Sequence, residues 1–107
     1  MAIQYKVVIT PDAQQAIQEI TDYLFENYSL ETAIKVTDQI ADMIDSLKTF
    51  PEGHDNADNL SKKGVIYRRL MAGSYRIVYT VKKDKIEVVV VDVHYGSRSQ
   101  KHLIGKL

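Results

Sequence analysis

Val65-Ile66-Tyr67-Arg68-Arg69-Leu70-Met71-Ala72-Gly73-Ser74-Tyr75-Arg76-Ile77-Val78-Tyr79-Thr80-Val81 is a run of strand-forming residues broken once, at Ala72-Gly73-Ser74. β-Branched and aromatic side chains suit a pleated surface, and a small-residue break between two such runs is a hairpin turn. The spacing predicts one strand over Val65 to Met71 and a second over Tyr75 to Val81, the latter with Tyr75, Ile77, Tyr79 and Val81 on one face. Lys82 to Lys85 supplies the next turn. The β-branched run Ile86 to Val93 suits a central strand, with His94 and Tyr95 at its end.

Toward the N-terminus the pattern changes period. Glu52 to Lys63, with Gly53, Asn56 and Asn59, reads as a polar loop. Before it, Ala33, Val36, Ile40, Met43 and Leu47 recur at spacings of three and four, and so do Ala13, Ile17, Ile20 and Leu24: two amphipathic helices. Asn27-Tyr28-Ser29 separates them and Phe50-Pro51 closes the pair. Thr10 and Ser29 are placed to cap, Pro11 suits a first helical turn, and Asp12 complements the positive end of the helix dipole. Ile3, Tyr5, Val7 and Ile9 alternate as a first strand. The expected fold is a single α+β domain over residues 1–107. It runs strand, antiparallel helical hairpin, then three-stranded antiparallel meander, with one sheet face packed on the hairpin.

A chain of 107 residues can bury a core without metal or disulfide staples. Cysteine is absent, so thiolate chemistry is excluded and nothing points to an oxidising compartment. No apolar run is long enough to span a bilayer and Met1 to Lys6 lacks a signal-peptide pattern, so the expectation is cytoplasmic, with no membrane partner. The zero net charge conceals a division. Residues 1–61 hold three basic and eleven acidic side chains, a net of −8, and residues 62–107 hold eleven basic and three acidic ones, a net of +8. Such a division either presents a cationic face to an acidic partner or polyanion, or lets the two halves attract each other within the fold.

The sheet face opposite the hairpin is the expected site. With Ala72-Gly73 as a two-residue turn, Arg69 would stand directly opposite Arg76, and two guanidinium groups so placed suit a phosphate or carboxylate. The alternative is that they splay into solvent or pair with Asp92, Asp55 or Asp58. His94 offers proton transfer near neutral pH and Tyr95 offers stacking or a hydrogen bond; adjacent in the chain, only one of them can share the face of Arg76. His54, His94 and His102 are too scattered for a metal motif, and there is no glycine-rich phosphate loop. Neither metal nor cofactor is expected. Asp38, Asp42 and Asp45 read as a solvated helix face.

The segment Arg68 to Tyr79, followed by a valine-rich strand ending His94-Tyr95-Gly96-Ser97-Arg98, resembles the RelE/ParE toxin superfamily. So does the start, where a short strand enters Thr10-Pro11-Asp12-Ala13 and a helical hairpin closing at Phe50-Pro51. The likeness runs in order over nearly the whole chain. It implies the toxin of a type II toxin–antitoxin module, which arrests bacterial growth until an antitoxin wraps it with its C-terminal segment.

The superfamily has two activities. The ribonuclease branch cuts messenger RNA on the ribosome without a metal. By resemblance Arg76 would stabilise the phosphate with Arg69 or Arg68 assisting, and His94 or Tyr95 would handle the proton and the base. Some members of that branch carry a glutamate in the loop before the basic strand, where this chain has Asp55 and Asp58. The ParE branch blocks DNA gyrase. It shows a long regular hairpin like residues 11–48 and a tail containing a His-x-x-Arg-like segment, here with Tyr95 as one extra residue. Balanced total charge fits a protein target better than ribosomal RNA, so the gyrase branch is favoured. A degenerate, non-toxic binding module is the third alternative. Arg68, Arg69, Arg76, Arg98 and Lys101 are the expected contacts to a partner or nucleic acid.

Overall fold

The computed structural model describes residues 3–52 and 65–96. His54, Asp55, Asp58, Arg98, Lys101 and His102 lie outside the described residues. Lys6–Ile9 form strand β1 and Pro11–Asn27 form helix α1, and Thr10 serves both. Its N–H donates to the Val90 carbonyl at 3.0 Å, and its hydroxyl oxygen accepts from the Ala13 N–H at 3.1 Å. Ser29 repeats the device, accepting from Thr32 N–H at 3.0 Å to start helix α2, Leu30–Ser46. One of the otherwise unpaired N–H groups at each helix start is thereby satisfied. The Thr21 and Thr37 hydroxyls meet at 2.7 Å across the hairpin. Neither helix is long and apolar enough to cross a membrane.

Strand β2 is Tyr67–Ala72, β3 is Tyr75–Lys82 and β4 is Glu87–Tyr95, with a 3₁₀ turn at Lys83–Lys85 between the last two. The sheet order is β1-β4-β3-β2, antiparallel except that β1 joins β4 in parallel. The core lies between this sheet and the hairpin. Ala13, Ile40, Ile44 and Leu47 from the helices close on Leu70, Ile77, Tyr79, Val88, Val90 and Val93 from the strands. Each large aliphatic side chain so buried contributes roughly 1.5–3 kcal/mol, which outweighs any single cap or turn.

Two features shift the register from the sequence expectation. The tight turn falls at Gly73-Ser74, because a two-residue turn with glycine first uses positive φ there, and Gly73 has φ +61°. Ala72 therefore faces Tyr75, Met71 faces Arg76 and Arg69 faces Val78, so the arginines are diagonal neighbours on one face instead of directly opposed. The second feature is a bulge in β4: Val78 pairs with Asp92 but Tyr79 pairs with Val90, leaving Val91 as the extra residue. Strand limits also move: β2 begins at Tyr67, β1 omits Ile3 and Tyr5, and Ile86 caps the 3₁₀ turn in the left-handed region at φ 51°.

The bulge carries its own stabilising groups. Asp92 is fully buried, and its Oδ1 accepts from the Val93 N–H at 2.9 Å while Oδ2 lies 4.0 Å from Nδ1 of buried His94. Below the sheet, buried Tyr79 donates from its hydroxyl to the Pro51 carbonyl at 2.6 Å, tying the end of the hairpin to β3. Arg68 donates to the Glu52 carbonyl at 3.3 Å beside it. Burial pushes the Tyr79 phenol up to about 12, against the pull of the Arg68 charge and with a smaller push from Glu52.

Asp92→Ala is expected to lower the unfolding free energy by about 3–5 kcal/mol, because it strands a buried donor and a buried imidazole. Asp92→Asn, which keeps an acceptor, should cost less; equal denaturation midpoints for Asp92→Ala and the parent chain would contradict this. Tyr79 predicts an alkaline dependence. From pH 10 to 12 the unfolded chain releases the phenolic proton that the folded chain retains, so stability falls as pH rises through that window. Relative to Tyr79→Phe the parent should lose about 2–3 kcal/mol over that range in denaturant titrations at stepped pH.

Candidate functional site

Alternation along β3 sends Ile77 and Tyr79 into the core and Arg76 and Val78 to the far face of the sheet. In β4 the bulge reverses the alternation. Val88 and Val90 point into the core before it and Val93 does so after it, so Asp92 and His94 face away from the helices. Two rows cross the strands. Arg69, Val78 and Asp92 form one, and Met71, Arg76 and His94 form the next. Arg69 and Arg76 are thus diagonal, a separation of roughly 7–8 Å.

His94 is the side chain that joins Arg76, as its register partner. Tyr95 takes the other face, opposite Tyr75, with ring centroids 5.5 Å apart. Arg68 also lies on the helix side, since it pairs with Tyr79 in register and reaches Glu52. The expected cluster of arginines is therefore divided: Arg69 and Arg76 share a face and Arg68 does not. Both Arg69 and Arg76 are half-buried, and no ion pair among the described residues involves them. Gly96 lies against this group and donates from its N–H to the Ser74 carbonyl at 2.7 Å. A Cβ there would stand 3.0 Å from that oxygen and 3.4 Å from the Met71 methyl carbon, so a larger residue would require the Ser74 carbonyl to give by a few tenths of an ångström.

This face is not the open surface expected from the sequence. Val78, Thr80, Asp92 and His94 are all buried, the last at 2% exposure. Chemically, the pair Arg69 and Arg76 suits a phosphate or carboxylate at the rim, while the imidazole beside Arg76 lies beneath the surface.

The helix side of the sheet holds a feature that the sequence reading missed. A groove of about 520 Å³ runs between the hairpin and the ends of β3 and β4. Tyr23 and Tyr28 line one wall, edge to face at 6.4 Å, and Tyr75 and Tyr95 line the other. Tyr23 stands three residues after Ile20, and Tyr28, just past the end of α1, four after Leu24, so both extend the apolar spacing of the helix, and that was the signal available.

The chain matches the family model described as ParE toxin of type II toxin-antitoxin system, parDE, over residues 7–100. Among solved structures it is similar to the chromosomal ParDE system from P. aeruginosa, with a TM-score of 0.69 and 18% identity over 88% of this chain and 98% of that one. It is also similar to the archaeal RelE–RelB complex from Pyrococcus horikoshii, with a TM-score of 0.63 and 16% identity over 90% and 99%. The RelBE2 toxin–antitoxin complex from Mycobacterium tuberculosis follows, with a TM-score of 0.62 and 16% identity over 91% and 98%. At these identities the structural likenesses establish the fold. No curated protein matches by sequence. With the model spanning all but the ends of the chain, and with the hairpin and sheet arranged as described, the protein belongs to the ParE toxin family of type II toxin–antitoxin systems.

Proposed function

We propose that this toxin acts in the cytoplasm by binding and blocking DNA gyrase, and that a cognate antitoxin neutralises it. The observation that carries the choice of target is the placement of the proton-transfer candidates. Ribonuclease chemistry needs a proton-transfer group beside the phosphate-binding cation, at a surface that RNA can reach. His94 faces Arg76 but is 2% exposed, and Tyr95 is exposed but lies on the opposite face of the sheet. The match to the ParE model and the regular hairpin of two 17-residue helices support the same reading. Arg69 and Arg76, with Arg98 and Lys101 from the basic half, are the proposed cationic contacts to an acidic antitoxin segment. The structural neighbours solved as toxin–antitoxin assemblies make such a partner the natural one.

The register pairing of Arg76 with His94 is what favours the second reading, a ribosome-dependent messenger ribonuclease. A supercoiling assay separates the two. Stoichiometric toxin is expected to stop gyrase from supercoiling relaxed plasmid while messages on translating ribosomes stay intact. Message cleavage that disappears in Arg76→Ala, with gyrase unaffected, would replace the first reading by the second. Normal growth on expression without any partner would instead indicate a non-toxic binding module.

Antitoxin affinity should fall as salt rises from 50 to 500 mM, because the screening length around exposed guanidinium pairs shrinks from about 14 Å to about 4 Å over that range. Arg69→Ala with Arg76→Ala should flatten that dependence in calorimetric titrations. A salt-independent affinity would assign the interface to apolar contacts alone.

A further inference from the structure

Strand β1 is an edge of the sheet, since the order β1-β4-β3-β2 gives it a neighbour on one side only. The Lys6 N–H donates to Ile86 and the Thr10 N–H to Val90, so the amides of Lys6, Val8 and Thr10 turn toward β4. Alternation turns the N–H and C=O groups of Val7 and Ile9 the other way. Two bonds mark that outer side: the Tyr5 N–H donates to the Lys48 carbonyl at 2.8 Å, and Gln14 Nε2 donates to the Ile9 carbonyl at 2.9 Å. Among the described residues, no hydrogen bond engages the Val7 N–H, the Val7 carbonyl or the Ile9 N–H. The Ile9 carbonyl keeps a second lone pair. Such a row is a template for a further strand. Beside it lies a hollow of about 300 Å³, lined by Val7 and Ile9 from the strand and by Ile17, Ile40, Ala41 and Ile44 from the helices. Its charged groups are Asp45 and Lys48, which pair with each other at 2.6 Å. The hairpin as a whole carries eight acidic side chains against one basic one over residues 11–46, but this corner is apolar and balanced. A strongly acidic or basic partner gains little here. A surface holding one charge of each sign complements itself under two-fold rotation, which can set Asp45 of one copy toward Lys48 of the other.

We infer that β1 pairs antiparallel with β1 of a second copy of this chain, about a two-fold axis at Val8. In that register Val7 of each copy stands opposite Ile9 of the other, and the two pairs exchange four N–H···O=C bonds. Lys6 falls opposite Thr10, so no like charges are directly opposed. Val7 and Ile9 share the helix side of the strand, so the second copy's pair adds apolar cover beside the hollow. A register centred on Val7 would set Tyr5 against Ile9, and the Tyr5 N–H is already bonded to Lys48. Strand β2, which carries Arg69, is the opposite edge, so the cationic face stays open in the pair. A four-residue edge is small beside the roughly 800 Å² per partner of stable complexes, and the pairing is accordingly weak, with a Kd of about 10–100 µM.

Two measurements on the full chain test this. In sedimentation equilibrium from about 5 to about 500 µM protein, the average mass is expected to rise from one chain toward two and no further. The rise should persist at high salt, because backbone bonds and apolar contact carry it. In amide hydrogen exchange followed by NMR, Val7 and Ile9 should slow by about three- to tenfold over the same concentrations. Lys6 and Thr10, bonded within the chain, should not change. Val7→Pro removes an outward N–H without breaking a bond inside the chain, and Ala41→Arg fills the hollow from an exposed position. Each should weaken the association about tenfold. A one-chain mass throughout, association that vanishes at high salt, or exchange at Val7 that ignores concentration would overturn the inference. So would protection of Val7 and Ile9 that appears only on adding antitoxin, which assigns the edge to that partner instead. Should Val7→Pro fail to fold, exchange in the parent chain and the mass of Ala41→Arg decide the matter.

Discussion

The single extra residue Val91 decides what each face of this sheet carries. Without it, the alternation that points Val88 and Val90 into the core would continue through Asp92 and His94, and Val93 would be turned out. A carboxylate and an imidazole would then face the core, at a cost of several kcal/mol for each unpaired polar group. With it, valine fills the core on both sides of the bulge and the polar pair moves to the far face. The bulge is held from both ends: Thr10, as it caps α1, donates to the Val90 carbonyl, and Asp92 accepts the Val93 N–H. The helix cap and the arrangement of the far face are therefore coupled through one segment of β4.

Much of this fold is visible in the chain itself. The three-and-four spacing from Ala13 to Leu24 and from Ala33 to Leu47 places both helices, and Thr10 and Ser29 cap them as their types suggest. The meander follows from the two β-rich runs and the glycine between them. Register was less legible. Ala72-Gly73 and Gly73-Ser74 are both plausible two-residue turns, and they differ by two residues in what faces Arg76, which preserves the shared face but moves Arg69 from opposite to diagonal. The bulge left no mark, because Val88 to Val91 is a uniform run in which any residue can be the extra one. Choosing between His94 and Tyr95 as the neighbour of Arg76 depended on that hidden residue.

The division of charge between the halves of the sequence has a spatial counterpart. The ion pairs among the described residues are Lys48 with Asp45, one turn apart, and Lys83 with Glu52, while His94 stands 4.0 Å from Asp92 within β4; none joins a helix of the hairpin to the sheet. The interface between the layers is apolar, built from Ile40, Leu47, Ile77 and Val90, so among the described residues the charges of the hairpin are not consumed in ion pairs with the sheet. A partner that meets both surfaces gains from carrying both signs, and one of uniform charge meets repulsion on one side.

The buried pair Asp92 and His94 connects stability to function. Replacing a buried polar pair with apolar residues of similar size often stabilises a protein, so its presence calls for another reason. Here Asp92 satisfies the donor exposed by the bulge, and an apolar residue at that position would remove one of the two groups that hold the bulge at Val91. The task of fixing register and the task of moving a proton make opposite demands: the first is served by burial and fixed partners, the second by access to substrate and freedom to titrate. With His94 at 2% exposure and Asp92 at 0%, the first demand is the one their surroundings meet. Under the proposed reading, the arginines at the rim are the groups left to recognise a partner.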